Sequence, residues 1–482
     1  MTTPSPAAGR YSLFLKRDCP TCQLIVPVID ELRALAGVEL TLYSQDDPQF
    51  PARDGVIDDT ELEHSFNADI EVVPTLIRHS ESAQEQARTV GWDRGEWRAL
   101  SRVPELGAAL SEFKPGCGSK TQDPGMAEIL ELRFGATQLH AREVELAASE
   151  DELEACYERG WSDGLPVVPP TALRVLRMVR GAQRPADEII GNIPPDNAPC
   201  SVEKVAINAV LAGCKPEYFP TVLATVEAAL QDRFCLHGLL CTTYFSSPVV
   251  IVNGPVSRHI GMNAGINALG QGNRASATIG RTLQLLVRNV GGGYPGGIDR
   301  ATMGNPGKFT YCFSEDESDP DWPTLAQDRG FGRDESVVSV FAGEGLQGIV
   351  DQQSRTPESL ALSFAASLRT VAHSKLFGMA DAILLVSPEH RRVLKQGGWS
   401  KADLRAALYN HLMTPGEEIM RGADGIAEGM PERFRDKILN KFRDDGLHIV
   451  TVGGTAGMFS AIIGGWVASG ERGSQLASQR VN

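Results

Sequence analysis

Two cysteines separated by two residues stand at the start of an amphipathic helix near the beginning of the chain. They are Cys19 and Cys22, in the stretch KRDCPTCQLIVPVIDELRAL of residues 16–35. The preceding residues 11–15, YSLFL, have the apolar and aromatic side chains of a buried strand. This order restricts the segment to a strand, a turn that holds two thiols, and a helix.

The position of Cys19 at the helix start favours its thiolate. Unpaired backbone N–H groups and the positive end of the helix dipole face it there, and Lys16 and Arg17 add positive charge. Cys22, one turn inside the helix, is then the resolving thiol. The alternative is half of a zinc site, which requires a second CxxC or a Cys/His pair, and none follows within residues 1–113. We therefore predict a redox-active dithiol.

Features that follow this motif resemble the thioredoxin and glutaredoxin family. Pro27 interrupts the first helix, residues 38–43 (VELTLY) form a second strand, and the VPT element places Pro74 before a third. Residues 92–110 close the unit as a helical segment. The resemblance covers residues 1–113. It implies that the Val73–Pro74 peptide bond is cis and packs beside the cysteines.

The composition limits the expected partners and compartment. The 482 residues carry a formal net charge of −15, which provides no electrostatic attraction for nucleic acid or an anionic membrane. The first residues lack the basic and apolar regions of a signal peptide, and no stretch approaches the ~20 apolar residues of a membrane helix. Nine cysteines without a secretory signal favour reduced thiols in a cytoplasm.

Polar residues, glycine and proline predict a linker over residues 114–150. Cys117 lies in it, in PGCGSK, where no core requires a cysteine. Its glycine neighbours permit close approach of a partner and a nest of N–H groups that stabilises thiolate, and Lys120 is close in sequence. The alternative is an incidental exposed thiol.

The remaining residues, 151–482, are predicted to form a second domain. Apolar strands at 248–253, 380–388 and 446–454 alternate with helical stretches. The sequence therefore predicts an α/β fold for this larger domain, behind a smaller thioredoxin-like domain.

Motifs within residues 115–470 resemble the UGSC family of (seleno)proteins. They are GCGSK, GWSDGLPVVPPT, EKVAINAVLAGCKPEYFP, VNGP, GMNAGINALGQGNRA and GGTAGMFSAIIGGW. The family is named for a selenocysteine-Gly-Ser-Cys motif, and related proteins often carry a thioredoxin-like domain in front. By this resemblance Cys117 takes the selenocysteine place, Gly118 and Ser119 match, and Lys120 replaces the cysteine. The resemblance implies reductive chemistry in which the CPTC domain supplies the partner thiol.

Cys214 is a further candidate thiol. It ends a helix in AGCKPEYFP beside Lys215, and it is either a catalytic thiol or a residue that packs the helix end. Cys235, His237 and Cys241 have the residue types of a metal site, but their leucine neighbours favour a core segment. The sequence requires no metal and no other cofactor.

A second group of residues suits a small anionic substrate. Asparagines and arginines lie in a glycine-rich part of the chain, although asparagines in turns also serve backbone geometry. The GGTAG turn follows a strand and precedes a predicted helix, whose N-terminus can hold a carboxylate or phosphate; close packing of strand and helix is the alternative. The predicted substrate-binding residues are Asn253, Asn263, Asn273, Arg274, Arg281, Gly453, Gly454 and Gly457.

These features predict a cytoplasmic thiol-dependent oxidoreductase, either a reductase or a reductive lyase. Cys117 would act on a small carboxylate or amino-acid-like substrate, and Cys19 and Cys22 would recharge it. A cytosolic thiol reductant or a thioredoxin-reductase-type system would supply electrons. The sequence leaves open whether the chain forms a homodimer. The alternatives are persulfide transfer on Cys117 or Cys214, and a non-catalytic redox sensor that binds protein partners.

Overall fold

The computed structural model describes residues 8–421, 431–466 and 473–482. The chain forms two compact units, Met1–Gln138 and Leu139–Asn482. Both units combine helices with parallel and antiparallel strands, so the predicted α/β class is confirmed.

The first unit contains a mixed sheet and short helices. Its strands are β1 (Gly9–Leu15), β2 (Val38–Ser44), β3 (Val56–Asp58), β4 (Val72–Val73), β5 (Thr75–His79), β6 (Glu85–Val90), β7 (Trp92–Asp93), β8 (Phe113–Lys114) and β9 (Cys117–Gly118). Its helices are α1 (Pro20–Leu24), α2 (Val26–Arg33), α3 (Glu63–Asn67), α4 (Arg94–Ser101) and α5 (Met126–Phe134).

Five of these strands form the main sheet, in the order β3-β2-β1-β5-β6. β1 is parallel to β2 and antiparallel to β5, and β5 is antiparallel to β6. The apolar side chains Leu13, Ile29 and Leu76, from β1, α2 and β5, belong to one buried core. This core fixes the end of β1 next to the start of α1, where Cys19 lies.

Two prolines shape the surroundings of the cysteines. Pro27 has no N–H to continue a helix, and the predicted first helix is divided: α1 ends at Leu24 and α2 begins at Val26. The Val73–Pro74 peptide bond is cis, as predicted. The predicted closing helix over 92–110 is shorter, because only α4 is helical in that segment.

The predicted linker differs from the observed organisation. Its beginning, residues 114–138, belongs to the first unit. Cys117–Gly118 pair with Val72–Val73 as antiparallel strands, and α5 packs against α3. The glycine and proline content that predicted a linker instead accommodates this pairing, since a Cβ on Gly116 would lie 2.4 Å from Val72 Cγ1.

We expect the fragment 1–138 to fold alone and the fragment 1–115 to lose about 3 kcal/mol or more of its free energy of unfolding. Among the hydrogen bonds that the shorter fragment lacks, three join buried residues of the missing segment to the rest of the unit, and each is worth about 1 kcal/mol. Gln45 Nε2 donates to Ser119 Oγ (2.7 Å), Ser119 N donates to the Glu71 carbonyl (2.8 Å), and Thr121 Oγ1 donates to the Ile70 carbonyl. Urea unfolding followed by tryptophan fluorescence compares the fragments, and equal stability would contradict this boundary.

The second unit is larger. Its strands are β10 (Ile189–Ile193), β11 (Ala198–Ser201), β12 (Ser247–Asn253), β13 (Cys312–Ser314), β14 (Val337–Val350), β15 (Ala380–Val386), β16 (Met413–Pro415), β17 (Ile438–Asn440), β18 (Phe442–Thr451), β19 (Phe459–Gly465) and β20 (Ala477–Arg480). Its helices are α6 (Glu152–Glu158), α7 (Ala172–Arg180), α8 (Val202–Ala212), α9 (Phe219–Ala229), α10 (Leu236–Cys241), α11 (Pro255–His259), α12 (Arg274–Asn289), α13 (Leu325–Asp328), α14 (Pro357–Leu368), α15 (Pro388–Gln396), α16 (Lys401–His411) and α17 (Gly416–Met420).

The main sheet of the second unit has the order β13-β12-β14-β19-β15-β18, with β20 also paired to β14. β14 shifts register between Gly343 and Leu346, so its first half pairs with β12 and its second half with β19. Ile251 and Ile383, from opposite halves, belong to one buried cluster. Helices α8, α9 and α12 cover one half, and α14 and α16 cover the other. Among the described helices, none has the length and apolar character that a membrane span requires.

Candidate thiol site

Cys19 is the N-cap residue of α1. Its extended backbone precedes Pro20, which suits the first helical position because that position needs no N–H donor. The Cys19 Sγ accepts a hydrogen bond from the Cys22 backbone N–H at 3.3 Å. The helix start therefore directs an N–H group at the Cys19 sulfur, as the sequence predicted.

Cys117 lies beside this dithiol, within the same unit. The pairing of β9 with β4 sets Cys117 opposite Val73, and the Val73 carbonyl oxygen is 3.5 Å from the Cys19 Sγ. Two further contacts join the segment of Cys117 to the CPTC turn: Thr21 Oγ1 donates to the Pro115 carbonyl at 2.6 Å, and Lys114 Nζ donates to the Pro20 carbonyl at 3.1 Å. Cys117 is thus a fixed third thiol of the site.

The three thiols differ in exposure. Cys19 and Cys22 have 0% of their surface exposed, whereas Cys117 is half-buried. Since the segment around Cys117 packs over the CPTC turn, Cys117 is the thiol that an external reagent meets first. The segment of Cys117, predicted as a linker, is instead a paired strand, and this pairing buries part of the cysteine.

Hydrogen bonding and burial give the three thiols different pKa values. The bond from the Cys22 thiol, with a further one from Cys117, lowers the pKa of Cys19 to about 5 against the opposing effect of burial. Burial raises the pKa of Cys22 far above its usual range, and the bond to Cys19 adds to this. Burial and the same kind of bond raise the pKa of Cys117. Cys19 is therefore the thiolate of the three at neutral pH.

The two basic residues before Cys19 act differently from the prediction. Arg17 forms an ion pair with Asp47 at 2.6 Å, so its charge is largely neutralised. Lys16 Nζ donates to the Gly118 carbonyl at 2.7 Å, and its charge lowers the pKa of Cys117, opposing the larger effect of burial there. Lys16 thus holds the third thiol in place.

Sequence reasoning missed Thr21 and Gln45, which position the segment of Cys117. Gln45 binds Ser119 with its amide N–H, and its Oε1 accepts the Lys120 backbone N–H at 3.1 Å. A threonine inside a CxxC turn was the available signal for the first of these. Gln45 gave none, because its contacts lie more than seventy residues away.

Cys214 lies in the core of the second unit. It is buried beside Thr282, whose Oγ1 is 3.3 Å from its sulfur, and burial raises its pKa. A buried thiol with a raised pKa is a poor nucleophile. Of the two predictions left open for Cys214, the structure favours packing at the helix end.

The predicted substrate-binding asparagines are occupied by local contacts. Asn253 Nδ2 donates to Glu315 (2.8 Å) and Glu317 (3.0 Å) at the end of β12. Asn263 Nδ2 donates within its own turn, and Asn273 caps α12 through the Ser276 N–H. Asn263 and Asn273 therefore serve turn and cap geometry, which was the alternative interpretation, whereas Asn253 joins the end of β12 to the segment after β13.

The predicted arginines are also engaged. Arg281 forms a bidentate pair with Asp163 at 2.7 and 2.8 Å, and it donates to two carbonyls of the same loop. Arg274 Nε donates to the Gly213 carbonyl at 2.9 Å. The structure therefore does not unite these arginines with the asparagines into an anion pocket among the described residues.

The prediction of a helix after the GGTAG turn is wrong. Residues 459–465 form strand β19, which pairs antiparallel to β15 and β14. Gly453, Gly454 and Gly457 therefore belong to the connection between β18 and β19, and the segment that follows them is a strand. The apolar run FSAIIGG fits a buried strand as well as a helix, and the pairing decides between them.

No described group of three or more His, Cys, Asp or Glu side chains is arranged to hold a metal ion. Leu236, Leu239 and Leu240 are buried, so the segment of Cys235, His237 and Cys241 packs as part of the core.

The comparisons with family models, curated proteins and solved structures found no match to this chain.

Proposed function

We propose that this chain is a thiol–disulfide oxidoreductase that uses three thiols of its first unit. The observation that carries the proposal is the position of Cys117 beside the dithiol: its strand pairs it with Val73, whose carbonyl oxygen lies 3.5 Å from the Cys19 Sγ. Neighbouring thiols of unequal pKa support directional exchange, since Cys19, as the thiolate, attacks the disulfide that forms on Cys117, and the protonated Cys22 resolves the product. A role as an inert structural cluster leaves the low pKa of Cys19 without a use.

The order of the main sheet supports the thioredoxin-like interpretation of the first unit. A parallel pair, β1 and β2, is extended by the antiparallel strands β5 and β6, with a cis proline before β5. The dithiol lies on the helix that joins β1 to β2. These features support the assignment of Cys19 as nucleophile and Cys22 as resolving thiol.

The proposed cycle begins when Cys117 attacks an external disulfide. The Cys117 proton goes to the thiolate that leaves, and a mixed disulfide forms on Cys117. Cys19, which is already a thiolate, then attacks the Cys117 sulfur and displaces the second thiolate. Cys22 attacks Cys19 and gives its proton to Cys117, which leaves a Cys19–Cys22 disulfide. An external dithiol reduces that disulfide through the same steps in reverse.

The proposed substrate is a small molecule, because the segment of Cys117 covers Cys19. A polypeptide disulfide needs space beside Val73 to pair with the chain, and Cys117 itself occupies that edge. The further assignment as a reductase or reductive lyase of a small carboxylate, recharged in the cytoplasm, rests on the resemblance to the UGSC family. Persulfide transfer from Cys117 stays an alternative, whereas the burial of Cys214 disfavours it as a carrier.

The test is catalysis of exchange between bis(2-hydroxyethyl) disulfide and dithiothreitol by the full chain. We expect the wild-type protein to accelerate the reaction and Cys19→Ser to reduce the catalysed rate at least ~100-fold, because the nucleophile is lost. Cys156→Ser is the matched control, since Cys156 is another buried thiol with a pKa raised by burial. Equal rates for wild type and Cys19→Ser would overturn the proposal.

A further inference from the structure

A cavity of about 690 Å³ opens in the second unit where β13, β15 and β18 end. The turns after β13 and β18 supply Asp316 and Thr455, the helix α15 that follows β15 supplies Arg391, and the glycine-rich loop before α12 supplies Gly265. The strand ends are adjacent, because Asp316 N donates to the Thr451 carbonyl at 2.7 Å. Cavities of this size bind small molecules, and in α/β sheets they gather at the carboxyl ends of strands.

Arg391 lines this cavity with an incompletely paired guanidinium. The residue is 8% exposed, and its Nη2 lies 3.0 Å from Asp316 Oδ2 and 3.3 Å from Ser318 Oγ. Its Nη1 is buried without a hydrogen-bond partner among the described groups. An unpaired buried donor is costly, and the fold leaves this guanidinium incompletely satisfied beside the cavity.

The cavity has an excess of one positive charge. Arg391, Arg392 and Lys395 line it, against the two carboxylates of Asp316 and Asp319. Lys395 is neutralised by Asp319 at 2.8 Å, whereas Arg392 is exposed and forms no side-chain hydrogen bond or ion pair with a described residue. A positive excess in a chain of net charge −15 favours an anion at this place.

We infer that this cavity binds a small organic molecule through a carboxylate, held by the guanidinium groups of Arg391 and Arg392. Guanidinium presents paired N–H donors that match the two oxygens of a carboxylate. The single surplus charge fits a monoanion better than a phosphate ester, which carries about −1.5 to −2. Binding here does not depend on the thiol chemistry of the first unit.

Labelling of the full wild-type chain with phenylglyoxal, which modifies arginine, tests the site without any redox reagent. Arg300 is the internal control, because it is exposed and forms no side-chain hydrogen bond or ion pair with a described residue. Sodium lactate, acetate or propionate, at an ionic strength matched with sodium chloride, is expected to slow labelling of Arg392 several-fold and to leave Arg300 unchanged. Peptide mapping reads both residues in one sample.

The variant Arg391→Gln is expected to remove the protection of Arg392, by weakening carboxylate binding about tenfold or more. Circular dichroism verifies that the variant is folded. Three results would overturn the inference: no protection by any of the carboxylates, equal protection of Arg300, or protection by inorganic phosphate alone. None of them bears on the disulfide exchange assay, so the two proposals fail separately.

Discussion

In the Cys22→Ser variant, mild oxidation with oxidised glutathione is expected to convert most of the protein to a Cys19–Cys117 disulfide. Cys117 forms the mixed disulfide with glutathione, and Cys19 displaces the second glutathione from the Cys117 sulfur. The next step requires the Cys22 thiol, and a serine hydroxyl does not attack disulfides under these conditions. The pairing of Cys117 with Val73, next to the Cys19 sulfur, holds the two residues together, so we expect this pair to form before any other. Non-reducing peptide mapping identifies the linked peptides.

Two glycines that flank Cys117 provide a matched pair of controls in the Cys22→Ser background. A Cβ at Gly116 would lie 2.4 Å from Val72 Cγ1 and 2.8 Å from the Val73 carbonyl, so Gly116→Ala should displace the strand and suppress the link. A Cβ at Gly118 meets no atom within 4 Å, so Gly118→Ala should leave the link unchanged. Both substitutions are otherwise identical, and the difference therefore reports on the pairing of Cys117 with Val73.

Other disulfide pairings would contradict the proposed transfer of the disulfide from Cys117 to Cys19. A disulfide from Cys19 to Cys214 would move the substrate-facing thiol to a residue that the structure places in a core. Glutathione found on Cys19 alone would mean that external disulfides reach Cys19 without Cys117. Either result would remove the basis for a third thiol in the cycle.

The dithiol was predictable from the sequence, whereas its third member was only partly so. The CPTC turn, Pro27 and Pro74 carry local signals, because a helix start and a proline each restrict the backbone of their own neighbours. The sequence also singled out Cys117 by its glycine neighbours. Its place in a strand was hidden, since the partner Val73 is more than forty residues away and a two-residue strand has no periodicity of its own.

In the second unit the class of fold was predictable and the sites were not. The apolar runs of β12, β15 and β18 identify buried strands. The apolar run FSAIIGG of β19 is too short and too uniform to separate a buried strand from a helix. Arginines in a glycine-rich segment suggested an anion site, yet Arg281 meets Asp163 from far along the chain. Arg391 and Arg392 lie in a segment for which the sequence predicted a helix and no site. Their cavity forms because the ends of three strands converge in the fold.

The ionisation of Cys19 provides the second large expected effect. Its folded pKa of about 5 compares with 9.0 for a free thiol, so Cys19 is a thiolate at neutral pH. Because the Cys22 thiol is the largest cause of this shift and Cys117 a smaller one, Cys22→Ala should raise the pKa of Cys19 more than Cys117→Ala does. The ultraviolet absorbance of the thiolate, taken as the difference from Cys19→Ser in the same background, measures each value. A pKa unchanged by both substitutions would mean that neither thiol donates to Cys19.

The same shift determines how stability changes with pH. A thiol whose folded pKa lies below its unfolded pKa adds stability above the unfolded value and loses it as the pH falls through the folded one. The stability that the 1–138 fragment gains over its Cys19→Ser form should therefore shrink from about pH 8 to about pH 5. Cys22 and Cys117 do not disturb this comparison, because their raised pKa values keep them protonated in the folded state over that interval. Urea unfolding at both pH values supplies the free energies, and a difference that grows towards acid pH would show that the folded protein holds Cys19 as the neutral thiol.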